Sequence, residues 1–249
     1  MMKSNNLYNR IYDHSFSLLL TFSFYAIFFA LLLSCEDEEA LSEIKWSENS
    51  FITTEDGTTY TVGYDQKSAN NQDSFVEKRD DRGAIVWKVS HAASPIDERA
   101  VLVTLDDEGN PWVIFSVNGG SYDEGYITKK FTAPDAFENV YQNNYGQGDG
   151  AKVAVVAKLD PEDGKIVKGS FLGTHLNNGK TNSLNIKKIG VHNTEVLLDV
   201  ETAVWPPAAG KTYEKMAGIT DEDRVNNAFH LQLSLNPNLS EIWRSELKK

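Results

Sequence analysis

The sequence has a single cysteine, Cys35, among 249 residues. One thiol excludes an internal disulfide framework and any zinc site built from several cysteines. Basic residues are also few, since 24 Lys and Arg face 36 Asp and Glu, for a net charge of −12. This acid excess argues against nucleic-acid binding, which needs clustered basic side chains, and against docking on an anionic membrane through a basic patch.

One long apolar run is present, from Phe16 to Leu33. Its length is at the lower limit for a membrane-spanning helix, so length alone does not separate a signal peptide from an anchor. The run ends in Leu32-Leu33-Ser34-Cys35, which resembles the lipobox of bacterial lipoproteins. The resemblance implies a signal peptide over residues 1–34 and a Cys35 that carries acyl chains such as palmitate. The alternative is an inert cysteine at the end of a membrane helix.

Charge around the run indicates its orientation. Lys3 and Arg10 precede it and Glu36-Asp37-Glu38-Glu39 follows it, a distribution that predicts export of the body of the protein. An acidic cluster after the cysteine also resembles the surface-export signal of lipoproteins of the Bacteroidota. A solvated acidic tether over residues 35–41 is the alternative. We therefore expect lipid anchoring in the outer membrane, on either its periplasmic face or the cell surface.

The remaining residues, 42–249, contain three internal repeats. Each repeat has two pairs of apolar, alternating stretches separated by turns rich in Asp, Asn, Pro or Gly, which is the pattern of two consecutive β-hairpins. We predict four strands in each repeat, over about residues 50–88, 99–168 and 184–243. The sequence thus predicts an all-β domain.

The repeats resemble a known family over about residues 50–243, closely in the first two copies and more weakly in the third. Phe75-Val76-Glu77-Lys78 followed by Ile85-Val86-Trp87, and Val155-Val156-Ala157-Lys158 followed by Ile166-Val167, are similar to the SBBP-type β-propeller repeat of secreted and surface bacterial proteins. The resemblance implies a β-propeller-like array of about three four-stranded units. A two-layer β-sandwich is the alternative architecture, because it would use the same strands.

The number of predicted strands is too small to close a propeller ring. Leu41 to Glu48 nearly repeats Leu239 to Glu246, which predicts one stray closing strand before three full units. Thirteen strands fall short of about four blades of four strands. The ring is then incomplete, is filled by the insertions, or is completed by a second chain in a homo-oligomer.

The repeats differ mainly between their second and third strands. The gap is short in the first repeat, about residues 64–73, and long in the others, about residues 118–152 and 202–226. Insertions at one repeat position project from one face, which is often the binding face. Links between repeats lie on that same face and carry His91 and His175. Within the second insertion, residues 132–142 predict a short helix with Thr132 as its N-cap.

Aromatic residues in the insertions are the candidate ligand-binding groups. Rings beside amide and carboxylate groups suit sugars or peptides. The alternative is a satellite core in which the rings only cover the loops. The candidates are Tyr122, Tyr126, Tyr141, Tyr145, Trp205 and Tyr213.

Catalytic motifs are missing from the sequence. There is no H-E-x-x-H and no G-x-S-x-G, and Gly210-Lys211-Thr212 lacks the first glycine of a P-loop. His91, His175, His192 and His230 are dispersed, so we predict no metal site and no catalytic residue. The acidic turns at Asp106 to Glu108 and Asp160 to Asp163 do not follow an EF-hand, and solvated hairpin turns explain them better than calcium does. We predict no cofactor.

These observations favour a lipid-anchored, non-enzymatic binding or scaffold module. Its expected ligand is a glycan, a peptide or an envelope protein, and nucleic acid is not expected. One alternative is a glycan-active hydrolase or lyase with its site among the insertions. Another is a structural subunit that completes its propeller with a partner chain.

Overall fold

Alternating apolar and polar residues, punctuated by Asp- and Gly-rich turns, fold here into antiparallel strands. The computed structural model describes residues 44–69, 71–90, 97–118, 134–147, 151–192 and 195–248. Residues 45–249 form one compact unit, and only Ile44 is described of the other unit, residues 1–44. The predicted signal peptide, Cys35, His91, Tyr122 and Tyr126 lie outside the described residues.

Three four-stranded antiparallel sheets make up most of the fold, and strands adjacent in sequence pair in each of them. Sheet 1 contains β1 (Phe51–Thr53), β2 (Thr59–Ser68), β3 (Asn71–Arg79) and β4 (Ile85–Ser90). Sheet 2 contains β5 (Glu98–Leu105), β6 (Pro111–Asn118), β7 (Lys152–Leu159) and β8 (Ile166–Leu172). Sheet 3 contains β11 (Asn185–His192), β12 (Glu195–Thr202), β13 (Phe229–Leu235) and β14 (Ile242–Leu247). The all-β prediction is confirmed, and each sheet occupies one predicted repeat.

Some local predictions were wrong. Residues 134–142 contain only a 3₁₀ turn, Pro134–Phe137, because Asn139 adopts a left-handed φ of 53° that ends the helical path. Thr132, its predicted N-cap, lies outside the described residues. The link in sheet 1 is also shorter than predicted, since β2 runs to Ser68 and β3 begins at Asn71. A small hairpin between sheets 2 and 3, β9 (Thr174–His175) and β10 (Thr181–Asn182), was not predicted.

The last strand of each sheet carries the same irregularity. The register with the preceding strand shifts at Val86 in β4, at Val167 in β8 and at Trp243 in β14. A single extra residue on one strand is a β-bulge, which bends the strand and increases its twist. The repeats therefore agree in detailed strand geometry as well as in strand number.

Sheet 2 is the middle layer of the fold. Alternate residues of β6 belong to different cores: Trp112 and Ile114 pack with sheet 3, while Val113 and Phe115 pack with sheet 1. Each of the four is at most 1% exposed. Burial on both faces explains why β6 and β7 are nearly continuous hydrophobic runs, whereas a strand with one wet face alternates.

The segment before β1 connects the three sheets through backbone hydrogen bonds. The Ser47 amide donates to the Ile189 carbonyl of β11 at 2.8 Å, and the Ile189 amide returns a bond of 2.9 Å. Asn49 accepts from Val103 of β5 at 3.1 Å, and Ser50 accepts from Val62 of β2 at 2.8 Å. Sequence similarity to residues 239–246 predicted a closing strand here. Instead, Ser47 forms an isolated bridge with the first strand of sheet 3.

None of the helical turns in the described part of the chain is long and apolar enough to cross a membrane.

Candidate functional site

The long links and the inter-sheet hairpin leave the scaffold at the same edge. Residues 119–151 join β6 to β7, and residues 203–228 join β12 to β13. In a meander these links lie at the edge opposite the tight turns, and the connection between two sheets leaves from that edge too. We call it the insertion edge. It brings His175, in β9, close to the third insertion.

Five residues from three segments meet at this edge, and we call them the Trp205 cluster. The ring of Tyr213 stacks on His175 with centroids 4.2 Å apart and planes 11° from parallel. The Tyr213 hydroxyl donates to the Trp205 carbonyl at 2.8 Å. Trp205 Nε1 donates to Asn177 Oδ1 at 2.9 Å, and Gln142 Nε2 lies 3.2 Å from His175 Nε2.

A short hairpin inside the third insertion holds these rings in place. Met216 donates to the Pro206 carbonyl at 2.9 Å and Ala208 donates to Glu214 at 2.7 Å. At the hairpin tip, Gly210 exchanges two backbone hydrogen bonds with Ile242, the first residue of β14. The insertion is therefore tied to the edge of sheet 3, and Trp205 and Tyr213 are fixed before any ligand arrives.

His175 is held as one tautomer. The Gln142 Oε1 atom accepts from the Gly173 amide at 2.8 Å, which leaves its Nε2 as the donor toward the imidazole. His175 Nε2 is then an acceptor and the ring proton lies on Nδ1. Burial lowers the pKa of His175 from its ordinary value of 6.5. The imidazole is thus neutral at physiological pH.

Two cationic side chains lie over the ring of Trp205. Lys215 Nζ lies 3.2 Å from the ring centroid, and the Arg224 guanidinium carbon lies 5.6 Å from it. Both are cation–π distances. Lys215 is exposed and forms no ion pair with a carboxylate within the described part of the chain. The cluster therefore presents a positive group in a protein that is acidic overall.

Two of the predicted ligand-binding tyrosines lie in the interior. Tyr141 is 5% exposed and Tyr145 is 3% exposed, and they belong to the cores between sheets 2 and 3 and between sheets 1 and 2, respectively. The Tyr145 hydroxyl donates to the Ala151 carbonyl at 2.8 Å. Their rings are not at the surface, so of the six predicted aromatics the described structure brings together only Trp205 and Tyr213.

Tyr141 nevertheless borders the cluster. Its buried hydroxyl has no hydrogen-bond partner within the described residues. Burial raises the pKa of Tyr141, and nearby Tyr213 and Glu214 add to the rise. The hydroxyl is therefore neutral and can donate a hydrogen bond. Because buried polar groups are normally hydrogen-bonded, an acceptor beside it would be favourable.

The acidic turns at the opposite edge use their carboxylates to stabilise the backbone. Asp80 Oδ1 accepts from the Ala84 amide at 2.8 Å, and Asp106 Oδ1 accepts from the Asn110 amide at 2.8 Å. In the described ranges no group of three or more His, Cys, Asp or Glu is placed to hold a metal ion.

A groove of about 380 Å³ lies at the turn edge, remote from the Trp205 cluster. Its lining includes Asp56, Tyr60 and Lys78. Lys78 Nζ already donates to the Pro161 carbonyl at 2.9 Å, and Asp56 Oδ1 accepts from the Thr58 amide at 3.1 Å. Lys78 and Asp56 are thus engaged within the fold.

No family model matches the chain, and no curated protein matches it.

Sequence reasoning missed three members of the site: Gln142, Asn177 and Lys215. An amide or a lysine in a polar loop carries no distinguishing pattern. His175 was placed on the correct edge by the meander rule, but nothing in the sequence indicated that Tyr213 would stack on it.

Proposed function

We propose that this protein is a lipid-anchored binding module whose ligand contacts the Trp205 cluster. The observation that carries the proposal is the convergence of His175, Trp205 and Tyr213 in one preorganised arrangement at the insertion edge. Preorganised rings lose little conformational entropy on binding. Trp205 and Tyr213 also pack against the core between sheets 2 and 3, so their order serves the scaffold as well as the proposed site.

The chemistry of the cluster favours a ligand that carries carboxylates. Lys215 supplies a cation without a carboxylate partner in the described residues, and Asn177 and Gln142 supply amide groups. One ring face of Tyr213 is already occupied by His175, and Lys215 covers part of Trp205. Polar contacts at the ring edges are therefore more accessible than broad stacking. A peptidoglycan fragment combines sugar hydroxyls, amides and carboxylates.

The test is a binding screen of the chain from Glu36 to Lys249 against peptidoglycan fragments and neutral glycans. Trp205→Ala and Lys215→Gln are expected to weaken binding to the carboxylated fragments at least about tenfold, the size of one charge-assisted contact. Trp243→Ala is the matched control, because Trp243 is 42% exposed on the last strand of sheet 3. Absence of selective binding, or loss in the control alone, would contradict the proposal.

Anchoring is the second part of the proposal, and the sequence Leu32-Leu33-Ser34-Cys35 supports it. Several acyl chains at about 0.8 kcal/mol per buried methylene would hold the domain on a bilayer. Metabolic labelling with a palmitate analogue should mark the wild-type chain and leave Cys35→Ala unmarked. Labelling that survives the substitution would contradict lipidation at Cys35. Surface protease accessibility would then separate display on the cell surface from the periplasmic face.

The proposed architecture is an open, propeller-like array of three blades. Supporting it, each later sheet packs on the preceding one, and residues 45–50 connect all three sheets. A β-sandwich is the alternative architecture. The glycan-active hydrolase and the ring-completing subunit remain alternative functions. Turnover lost with one Asp, Glu or His would favour the hydrolase.

A further inference from the structure

Gln142 connects three parts of the chain through its backbone and its side chain. Its carbonyl accepts from the Phe171 amide of β8 at 2.9 Å, and its amide donates to Ser170 Oγ at 3.1 Å. Its side chain reaches the Gly173 amide, which follows β8, and the imidazole of His175 in β9. Because the backbone of Gln142 is tied to β8, the side-chain amide is held beside these two groups.

One orientation of the Gln142 side-chain amide satisfies both neighbours. Its oxygen accepts from the Gly173 N–H at 2.8 Å, and this backbone donor keeps its proton at every working pH. The amide nitrogen then lies 3.2 Å from His175 Nε2. Since an NH₂ group only donates, Nε2 must accept, and the arrangement is complete only with a neutral imidazole that carries its proton on Nδ1.

A protonated His175 cannot be satisfied by the same amide. The imidazolium carries a proton on both nitrogens, so its Nε2–H would point at the Gln142 NH₂ group, donor against donor. Rotation of the amide by half a turn would bring its oxygen to the ring, but its NH₂ group would then face the Gly173 N–H. Either orientation leaves two donors in contact, and unpaired donors screened from water are unfavourable.

The surroundings of His175 do not offset this conflict. Burial is the cause of its lowered pKa, and no carboxylate in the described part of the chain raises that pKa. The ionisable side chains on the elements around the ring are Tyr141, Lys180, Glu201, Tyr213, Glu214 and Lys215. Glu201 forms an ion pair with Lys187 at 2.8 Å.

We propose that Gln142 is a positioning residue that makes the Trp205 cluster sensitive to acid. At neutral pH it fixes His175 as the stacking partner of Tyr213, whose hydroxyl bonds to the Trp205 carbonyl. When His175 takes up a proton, the ring loses its bond to Gln142 and turns toward water, where both N–H groups are hydrated. Tyr213 then loses its stacked neighbour, and the cluster is no longer preorganised.

The consequence for a ligand rests on the proposed function. Because burial places the pKa of His175 below 6.5, the neutral ring predominates at pH 7 and the cluster is intact there. A ligand that needs the ordered cluster should be released as the pH falls through the pKa of His175. Binding would thus be confined to neutral and alkaline media.

NMR of the imidazole nitrogens, recorded without ligand, tests the switch itself. The sample is the chain from Glu36 to Lys249, which contains every described strand. The neutral ring should carry its proton on Nδ1, and the side-chain amide signals of Gln142 should move with the same midpoint as His175. A proton on Nε2 of the neutral ring, or amide signals that do not respond, would overturn the proposal.

Gln142→Glu removes the conflict, because a carboxylate has nearly the same shape and accepts at both oxygens. It can take the Gly173 amide and the imidazolium together, so the pKa of His175 should rise above 6.5. Asn143→Asp is the matched control: it adds the same charge at the next residue, which is exposed, and should leave the pKa of His175 below 6.5. Circular dichroism checks the folding of both variants.

Two results with these variants would contradict the role of Gln142. An unchanged pKa of His175 in Gln142→Glu would show that the amide does not control protonation of the ring. An equal rise in Asn143→Asp would assign the effect to charge alone, without the two-sided hydrogen bond.

A titration with a carboxylated peptidoglycan fragment separates this inference from the proposed function. From about pH 7.5 to one unit below the NMR midpoint, about nine-tenths of His175 becomes protonated, so wild-type affinity should fall about tenfold. Gln142→Glu should change by less than about twofold, because its charged ring keeps a partner. Tighter wild-type binding in acid would overturn the switch. If NMR shows the switch but no fragment binds at either pH, the proposed function fails and the role of Gln142 is retained.

Discussion

Ile85 and Ile242 occupy equivalent positions beside a bulge in the last strand of their sheets, yet Ile85 is 53% exposed and Ile242 is 1% exposed. The difference comes from position in the array, because sheet 2 covers Ile242 and nothing described covers Ile85. Repetition of the strand pattern thus builds three similar sheets, and their order along the chain decides which faces become core.

The loss of stability on replacing a turn glycine by alanine should depend on the space beside that glycine. Gly164 and Gly109 have left-handed φ angles of 73° and 83°, but a Cβ on Gly164 would lie 2.7 Å from the Trp87 ring while Gly109 faces open space. We expect Gly164→Ala to lower the free energy of unfolding by about 2–3 kcal/mol and Gly109→Ala by about 1 kcal/mol. Urea unfolding measures both, and equal losses would contradict the close contact.

Asp106 should make part of the stability depend on pH. Burial favours its protonated form, but hydrogen bonds from Lys158, Asn110 and Trp112 outweigh burial and hold the pKa of Asp106 below 3.8. A lowered pKa in the folded state means that this contribution is complete above pH 3.8 and is lost as the pH falls through the folded value.

Asp106→Asn provides the measurement. Urea unfolding at pH 7 should show a loss of about 1–2 kcal/mol, because the carboxylate bonds to Lys158 and to the turn backbone are weakened. At pH 2.5 the difference between variant and wild type should shrink. A constant difference at both pH values would show that the charge of Asp106 contributes nothing.

The imidazole of His175 should titrate below its ordinary pKa of 6.5, because burial penalises the charged form. A lowered pKa for a base means that stability falls as the pH drops from 6.5 through the folded value. Tyr213→Ala removes the stacked ring and should move the pKa of His175 back toward 6.5. Proton NMR of the imidazole follows both chains, and a wild-type pKa above 6.5 would contradict the packing.

Much of the fold was readable from the sequence because local rules and tertiary structure agree. The apolar stretches of β6 and β7 predicted strands, and turns rich in Asp and Gly marked the hairpins at Asp80 and Asp106. The turn between β13 and β14 obeys the same geometry without glycine, since Leu239 adopts a φ of 55° at that place. Its amide donates to the Asn236 carbonyl at 2.9 Å, as Gly83 donates to Asp80 at 3.0 Å.

The candidate site was less predictable because it depends on which way side chains face. Tyr141 and Tyr213 have similar polar surroundings in sequence, but one lies in a core and the other stacks on His175. The different environments of these two tyrosines result from the packing between sheets 2 and 3, which the local sequence does not indicate. Which sheet faces become buried could likewise not be predicted from the sequence. Isoleucine stands at all three equivalent positions, Ile85, Ile166 and Ile242, although their exposures differ.

Burial of sheet 2 on both faces is tested directly by native-state hydrogen exchange of the chain from Glu36 to Lys249. Amides of β6 and β7 should exchange only through global unfolding, with protection above that of β1, β4 and β14. Slow exchange confined to these central strands would support a three-layer array. Uniform protection of all three sheets, or faster exchange in β6 than in β13, would contradict it and favour a two-layer sandwich.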